Sequence, residues 1–539
     1  MYFRNLRSKL PKIVLGGMFI LGIGTFPSVG NADMQSSLRQ TLKKSSDRVS
    51  IDGSEVRLQA IRSFYAGRGY DPIWYTEGGL GERGRAVETL FLKAETEGLN
   101  THDYSSTRDT PSHNDTWAQI EIEISARLLR YAADVGKGRH SVKKIDRELF
   151  AFEREIDWVG ILQSAAAATD IGAFFDTLSP STAGYRALKK TLGPYREIAA
   201  AGGWPPLTGG SNLRPGDASP ALPQIWARLR ITGDVGTGGS PPQVLEGMLF
   251  DGLIAFQKRH GLTADGIIGP KTWKALNVPV ESRIRQIVMN MERWRWLPDN
   301  LGDPHVFVNL AGFELKAVRG GDVRLRMPVV VGKPYRRTPV FSDRIKYLVL
   351  NPVWTVPHSI ASQDILPKLQ KNASYLSENG FELLPPSGAQ SSTIANPENA
   401  HWGRYRADHF PFRLRQRPGP LNALGSVKFM FPNRFAVYLH DTPSRELFSR
   451  EVRTFSSGCI RVAQPAELAD FLINTEEWRA EHIRGEIETG KTRVLNLSVP
   501  VPVHIAYLTA WVEGDGAVNF REDVYKRDEK LAAVLFSGK

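Results

Sequence analysis

The chain has 539 residues, more than one hydrophobic core usually organises, so two to four domains are expected. With 41% hydrophobic and 10% aromatic residues it is globular rather than disordered, and 69 Lys plus Arg against 57 Asp plus Glu give a formal charge of +12 that favours anionic surroundings. Nothing in it resembles a zinc finger or an aromatic nucleic-acid-binding signature, which sets nucleic acid aside and leaves anionic lipid and acidic glycopolymers.

Arg4, Arg7, Lys9 and Lys12 precede an uncharged stretch from Ile13 that closes in Gly30-Asn31-Ala32. A basic flank, a short apolar core and a small residue at the cut site describe a secretory signal. The rival is an uncleaved anchor, since residues 13 to 32 are just long enough to span a bilayer; Pro27 and the glycines at 16, 17, 22, 24 and 30 weaken such a helix. Residues 1–32 are thus a signal peptide or an N-terminal anchor, with the rest exported. Export gives the single cysteine, Cys459, its meaning. Exported cysteines usually pair, so an unpaired one suggests a partner chain or a reactive thiol; the alternative is a small buried hydrophobe.

Residues 33–230 read mainly helical, with Leu188, Leu192, Tyr195 and Ile198 at helical spacing between Gly184 and Ala200. Runs rich in Gly, Pro and Ser, Gly202 to Pro220 and Gly233 to Pro242, mark the boundaries. Residues 243–278 form a compact module: an apolar helix through Val244, Leu249, Leu253 and Phe256, turns at His260-Gly261-Leu262 and Asp265 to Gly269, and a closing helix to Leu276. From residue 300 to 500 the texture is β-rich, in runs such as His305–Asn309, Val323–Val331, Lys346–Leu350, Phe435–His440 and Thr492–Leu497. Between Ser359 and Leu424 that signal lapses into a long segment rich in Ser, Asn, Pro and Arg, the length of a functional lid. A C-terminal extension, 501–539, adds a β-like stretch and a polar helix.

Two pieces carry chemistry: Tyr438-Leu439-His440-Asp441-Thr442-Pro443, and Ser456-Ser457-Gly458-Cys459-Ile460-Arg461-Val462. A thiol becomes a nucleophile when an imidazole takes its proton and a positive charge or helix N-terminus stabilises the thiolate. Gln464-Pro465-Ala466-Glu467 reads as a helix start close behind Cys459. Gly458 allows a tight turn, its N–H and that of Cys459 can bind an oxyanion, and Arg461 can hold a carboxylate. On residues alone, a cysteine and one of eleven histidines is weak evidence, and a strand-end histidine is more often satisfied by backbone.

These residues resemble the catalytic signature of the L,D-transpeptidase (YkuD-type) domain, in which a His after a strand precedes S-H-G-C-hydrophobic-R. Ser457 stands where most members carry His. AFQKRHGL and DGIIGPKTW resemble a three-helix peptidoglycan-binding domain. Phe64-Tyr65, Arg68-Gly69-Tyr70, Trp74, Gly202-Gly203-Trp204-Pro205 and Asn351-Pro352-Val353-Trp354-Thr355-Val356-Pro357 look like landmarks of the larger periplasmic members with a helical scaffold, so the resemblance covers about residues 55 to 525. It implies a multidomain α+β protein with a helical scaffold domain, the wall-binding module and a mostly β catalytic domain whose segment 359–424 caps the cysteine.

The resemblance makes Cys459 the nucleophile, His440 the base and Gly458 part of the catalytic turn, with Arg461, Ser456, Ser457, Trp354 and Tyr438 on the substrate. Trp354 reads equally as a core tryptophan. The implied reaction is a 3→3 peptidoglycan crosslink made through a thioester in the periplasm, on peptidoglycan stem peptides, with no metal or organic cofactor, other cell-wall synthesis proteins as partners, and membrane contact only through an N-terminal anchor. The rivals are hydrolysis or lipoprotein attachment at the same site, and a non-catalytic wall-binding scaffold. Gly79, Gly81 and Gly84 have dinucleotide-loop spacing, but no apolar strand precedes them; His401, Asp408 and His409 fit no common zinc pattern and read as part of a solvated basic lid.

Overall fold

The computed structural model describes residues 31–44, 55–105, 117–150, 152, 154–385 and 397–536. All but the last two residues of the expected leader over 1–32 therefore lie outside the described residues. No helix among the described residues is long and apolar enough to cross a membrane. The chain divides into two bodies, Met1–Arg85 with Thr110–Ala126, and Ala86–Asp109 with Arg127–Lys539.

The first body is organised around one buried acid. Glu121 is fully buried and accepts the N–H groups of Ile73, Trp74 and Tyr75 and the hydroxyl of Tyr65 (2.8 Å), while the Trp74 indole donates to Ser125 Oγ at 2.8 Å. Burial pushes the Glu121 pKa up. The Gly79-Gly81-Gly84 spacing serves a hairpin, Tyr75–Thr76 against Gly79–Leu80: a Cβ on Gly84 would come within 2.4 Å of the Trp74 carbonyl oxygen.

In the second body, helix Ala183–Ala200 buries Leu188, Leu192 and Tyr195 against Ile287 and Met291 of helix Val280–Trp294. At the end of that second helix the buried Arg295 is neutralised by Glu292 (2.9 Å) and donates to the Glu97 carbonyl and the Tyr185 hydroxyl. The compact module expected over residues 243–278 is larger than that span. Helix Leu222–Ile231 shares its core with helices Gly247–Arg259 and Pro270–Leu276, and the Gly/Pro-rich run before it joins the same core through Leu207 and Leu213. Leu213 bridges Ile268, and Ala218 bridges Val244, so a composition that reads as linker is a strapped-down wall of the module.

Among the described residues, the main sheet of the β-rich region has nine strands: β1 (His305–Asn309), β2 (Glu314–Arg319), β3 (Asp322–Gly332), β4 (Phe341–Leu350), β5 (Val427–Met430), β6 (Leu439–His440), β7 (Thr454–Ser456), β8 (Ile460–Val462) and β9 (Arg493–Ala506). They pair in the order β7-β3-β8-β6-β5-β4-β9-β1-β2, and β2 pairs back onto β3, so the sheet closes on itself around Val306, Val308, Leu348, Phe429, Leu439 and Ile460. Closure leaves few free edges. The region thus agrees with the α+β expectation, with two differences at its ends. β9 runs past residue 500 to Ala506 between β4 and β1, so the sheet takes in the start of the expected C-terminal extension. The run Phe435–His440 is a strand only at Leu439–His440, because Asn433 Oδ1 accepts the N–H groups of Phe435 and Val437 and winds the chain into a turn in which Ala436 has φ +52°.

The segment expected as a lid has its own small architecture. Strands Trp354–Thr355, Arg413–Gln416 and Phe381–Leu384 form an antiparallel sheet over a separate core of Ile365, Leu369, Leu376, Trp402, Phe410 and Leu414. A π-helical turn, Ala361–Ile365, opens its helical side. The basic run seen in sequence is partly paired at the surface: Arg415 and Arg417 both grip Glu382 at 2.6 Å, pulling that carboxyl below its ordinary pKa.

Candidate active site

β6 runs parallel to β8, with Leu439 opposite Ile460 and His440 opposite Arg461. Side chains alternate along a strand, so Leu439 and Ile460 enter the core while Tyr438, His440 and Arg461 leave on the other face, together with Cys459 at the mouth of β8. β5 lies on the far side of β6 and sets Lys428 directly across from His440, its neighbours Val427 and Phe429 being buried.

The turn before the cysteine is held by its own side chains. Ser456 Oγ accepts the Gly458 N–H at 3.1 Å and donates to the Cys459 carbonyl. Gly458 sits at φ +117°, a conformation that a side chain resists, and its carbonyl accepts the Thr338 hydroxyl at 2.8 Å. The helix expected close behind Cys459 begins at Pro465, with β8 intervening between it and the cysteine. Its place is taken by the cations of Lys428 and Arg461, which with the Tyr438 backbone and hydroxyl oppose the effect of burial. Burial wins and pushes the Cys459 thiol above its ordinary pKa. Sγ lies 3.9 Å from the carbonyl of the strained Ala436.

His440 Nδ1 is 2.5 Å from the Asp441 carbonyl oxygen, which can only accept, so Nδ1 carries the proton and Nε2 is left basic. The Asp441 carboxylate is fixed by the Ser426 N–H and hydroxyl at 2.8 and 2.7 Å and by Arg445 at 3.1 Å. Burial, then Arg461 and Lys428, bring the His440 pKa down to about 3 against the pull of the Asp441 and Leu424 carbonyls. At neutral pH both the thiol and the imidazole are therefore neutral.

Residues 303–496 match the family model of the L,D-transpeptidase catalytic domain, a span that holds both strands, the turn and the lid. The chain carries an L,D-transpeptidase catalytic domain. Residues 59–192 match a scaffold domain and residues 220–276 a "Putative peptidoglycan binding domain". A Haemophilus influenzae protein described as "Putative L,D-transpeptidase" is 35% identical over 252 residues, 47% of this chain and 50% of that protein. The chain thus spans about half the length of the curated relative it matches. Among solved structures, an L,D-transpeptidase from Stackebrandtia nassauensis is 13% identical, over 55% of this chain and 96% of its own, with a TM-score of 0.22. One from Xylanimonas cellulosilytica is 16% identical, over 55% and 98%, with a TM-score of 0.17.

Within the transpeptidase domain the remaining sequence candidates divide. Arg461 is half-buried on the site face, and its enclosed Nε has no hydrogen-bond partner among the described residues. Tyr438 stacks edge-on to His440 at 5.6 Å and its hydroxyl faces Cys459 and the Trp354 indole. Trp354 itself is 9% exposed and belongs to the lid core, at the place where the lid meets Tyr438. Ser456 is buried with its hydroxyl engaged in the turn, and Ser457, though exposed, accepts Arg336 Nη1 at 3.0 Å. The same guanidinium binds Gln363 at 2.7 Å and pairs with Asp364, both on the π-helical turn of the lid. Sequence reasoning assigned no role to Arg336, Lys428 or Asp441. Only Asp441, adjacent to the histidine, had a local signal.

Proposed function

We propose that the protein is an exported, periplasmic L,D-transpeptidase that forms 3→3 crosslinks between peptidoglycan stems. The observation that carries this reading is the shared face of β6 and β8, with a thiol, a buried neutral imidazole and the unpaired guanidinium of Arg461. Cys459 Sγ attacks the carbonyl between the third residue of a tetrapeptide stem and its terminal D-Ala. The S–C bond forms and the C–N bond breaks, while the thiol proton passes through His440 Nε2 to the departing amine. Because the Gly458 N–H is occupied by Ser456 Oγ, the oxyanion falls to the Cys459 N–H rather than to both amides expected from sequence. The amine of a second stem then attacks the thioester and gives its proton back through His440 to the thiolate. One amide replaces another, so no external energy source is needed. The lid, tied to the turn by Arg336, keeps water from the thioester.

The test is incubation of the full chain with disaccharide-tetrapeptide followed by mass spectrometry. The expected product is a crosslinked dimer that has lost one D-Ala. Formation of disaccharide-tripeptide alone would make the protein a carboxypeptidase on the same site.

A further inference from the structure

A cavity of about 540 Å³ opens between the compact module and the hairpin of Ala510–Val512 with Val518–Phe520, and neither Cys459 nor His440 lines it. Its size is that of a site for a small organic ligand rather than for a lone ion. Two guanidiniums line it. Arg283, on helix Val280–Trp294, is 7% exposed; it donates to Gln286 Oε1 at 2.9 Å and to the Ala275 carbonyl at 3.3 Å, and its enclosed Nε has no partner among the described residues. Arg521 is half-buried, and its Nη1 donates to the carbonyls of Arg259 and Phe520 at 2.8 and 2.9 Å. Gln286 Nε2 donates to the Arg521 carbonyl at 3.0 Å and so ties the two supports together. Gly261, in the turn of the module, has φ +68°, and a Cβ there would come within 2.5 Å of Arg521 Cδ and Nε, so this glycine makes room for the guanidinium.

The acids around the cavity are engaged elsewhere. Glu451 takes Lys271 and the Thr263 N–H, Glu522 takes Lys274, and Asp528 takes Arg293. Asp523 accepts the Tyr507 hydroxyl and the N–H groups of Arg527 and Asp528. Burial brings the Arg283 pKa down to about 9 and that of Arg521 down to about 10, so both remain charged at neutral pH. Each guanidinium lies over one aromatic ring, Arg283 over Phe520 at 4.5 Å and Arg521 over Trp511 at 4.7 Å, which covers only part of its charge. A cation taken from water without an anion is costly, and two of them on one cavity form a fork suited to a carboxylate.

We propose that this cavity is a second, non-catalytic site that binds a peptide stem of the wall through a carboxylate received by Arg283 and Arg521. It presupposes peptidoglycan as the polymer on which the chain acts and goes further in locating a contact: the span that matches a peptidoglycan-binding domain, 220–276, contains neither arginine. A stem held here would tether the enzyme and raise the local concentration of other stems at Cys459.

The test uses the full chain with Cys459 alkylated by iodoacetamide, so that no acyl group forms. It is titrated calorimetrically with disaccharide-tetrapeptide, with the same compound amidated at every carboxyl, and with inorganic phosphate. The carboxylate form should bind about ten- to a hundredfold more tightly than the amidated form, the scale of charge-assisted hydrogen bonds. That preference should shrink to within about threefold in Arg521→Gln and in Arg283→Gln. Should a variant not fold, the unsubstituted protein still decides: modification of Arg521 by phenylglyoxal, mapped by mass, should be slowed by the carboxylate form alone. Equal binding of both forms, a preference that survives both substitutions, or no protection of Arg521 would overturn the proposal. Phosphate bound as tightly as the stem would overturn the peptide assignment. Acylation of Cys459 is measured in unalkylated protein and should stay within about twofold in both variants; acylation that falls in step with binding would merge the two sites and overturn the proposal. Binding without any acylation in the unsubstituted protein leaves this site standing and removes the transpeptidase reading, whereas acylation without binding does the reverse.

Discussion

Cys459 and His440 are both neutral at physiological pH, and this sets the pH behaviour expected of the site. His440, with a pKa near 3, stays neutral across the physiological range, and the thiol is raised above its ordinary value, so no thiolate–imidazolium pair exists at rest. Alkylation of Cys459 by iodoacetamide should therefore be slow at pH 7 and climb only above pH ~9, with no shoulder near pH 6.5; a plateau from pH 6 upward would show a preformed thiolate. His440→Ala should slow acylation by a stem peptide by about a hundredfold or more, the scale of a lost general base. Near-normal turnover in that variant at pH 7 would move the base elsewhere. These two residues were singled out in the sequence by resemblance to a family signature, not by their spacing alone. Lys428 was not: a lone lysine in Val427-Lys428-Phe429 reads as the solvent side of an alternating strand, and only the pairing of β5 with β6 turns that side toward the thiol.

At the scale of elements, the segment expected as a lid and the cysteine turn meet through one guanidinium. Arg336 touches Ser457, one residue from Gly458, and holds Gln363 and Asp364 on a π-helical turn, a distortion that often marks a functional joint. Arg336→Ala should slow acylation by a tetrapeptide by about tenfold through loss of a charge-assisted contact, while alkylation by a small reagent changes far less. Equal slowing of both would make Arg336 a support of the turn rather than of the lid. The segment 359–424 stood out in sequence as an overlong interval, but its small sheet did not. Trp354–Thr355 and Arg413–Gln416 are two short strands far apart in the chain, and neither is long enough to show alternation. The same limit explains the module boundary. The run from Gly202 to Pro220 has the composition of a linker, and only tertiary pairing of Leu213 with Ile268 reveals it as a wall.

For the whole molecule, burial of neutral imidazoles ties stability to pH. His440 near 3, His504 near 4 and the fully buried His260, held well below its ordinary value, all refuse protons that the unfolded chain accepts below pH ~6.5. The unfolded state then binds more protons than the native state, so stability is complete above pH ~6.5 and falls as the pH drops toward 4, by at most about 1.4 kcal/mol per histidine per pH unit. Thermal unfolding midpoints should decrease steadily over that window, and a flat profile between pH 6.5 and 4 would mean these imidazoles reach solvent. The multidomain plan was readable from changes of texture along the chain, because helical periodicity gives way to alternation near residue 300. The central claim, that Cys459 carries the acyl group, is tested most directly by intact-protein mass spectrometry after brief mixing with a tetrapeptide stem. The predicted result is an adduct equal to the stem minus D-Ala, mapped to Cys459 and absent from Cys459→Ala. Product formation at an undiminished rate by folded Cys459→Ala would contradict it.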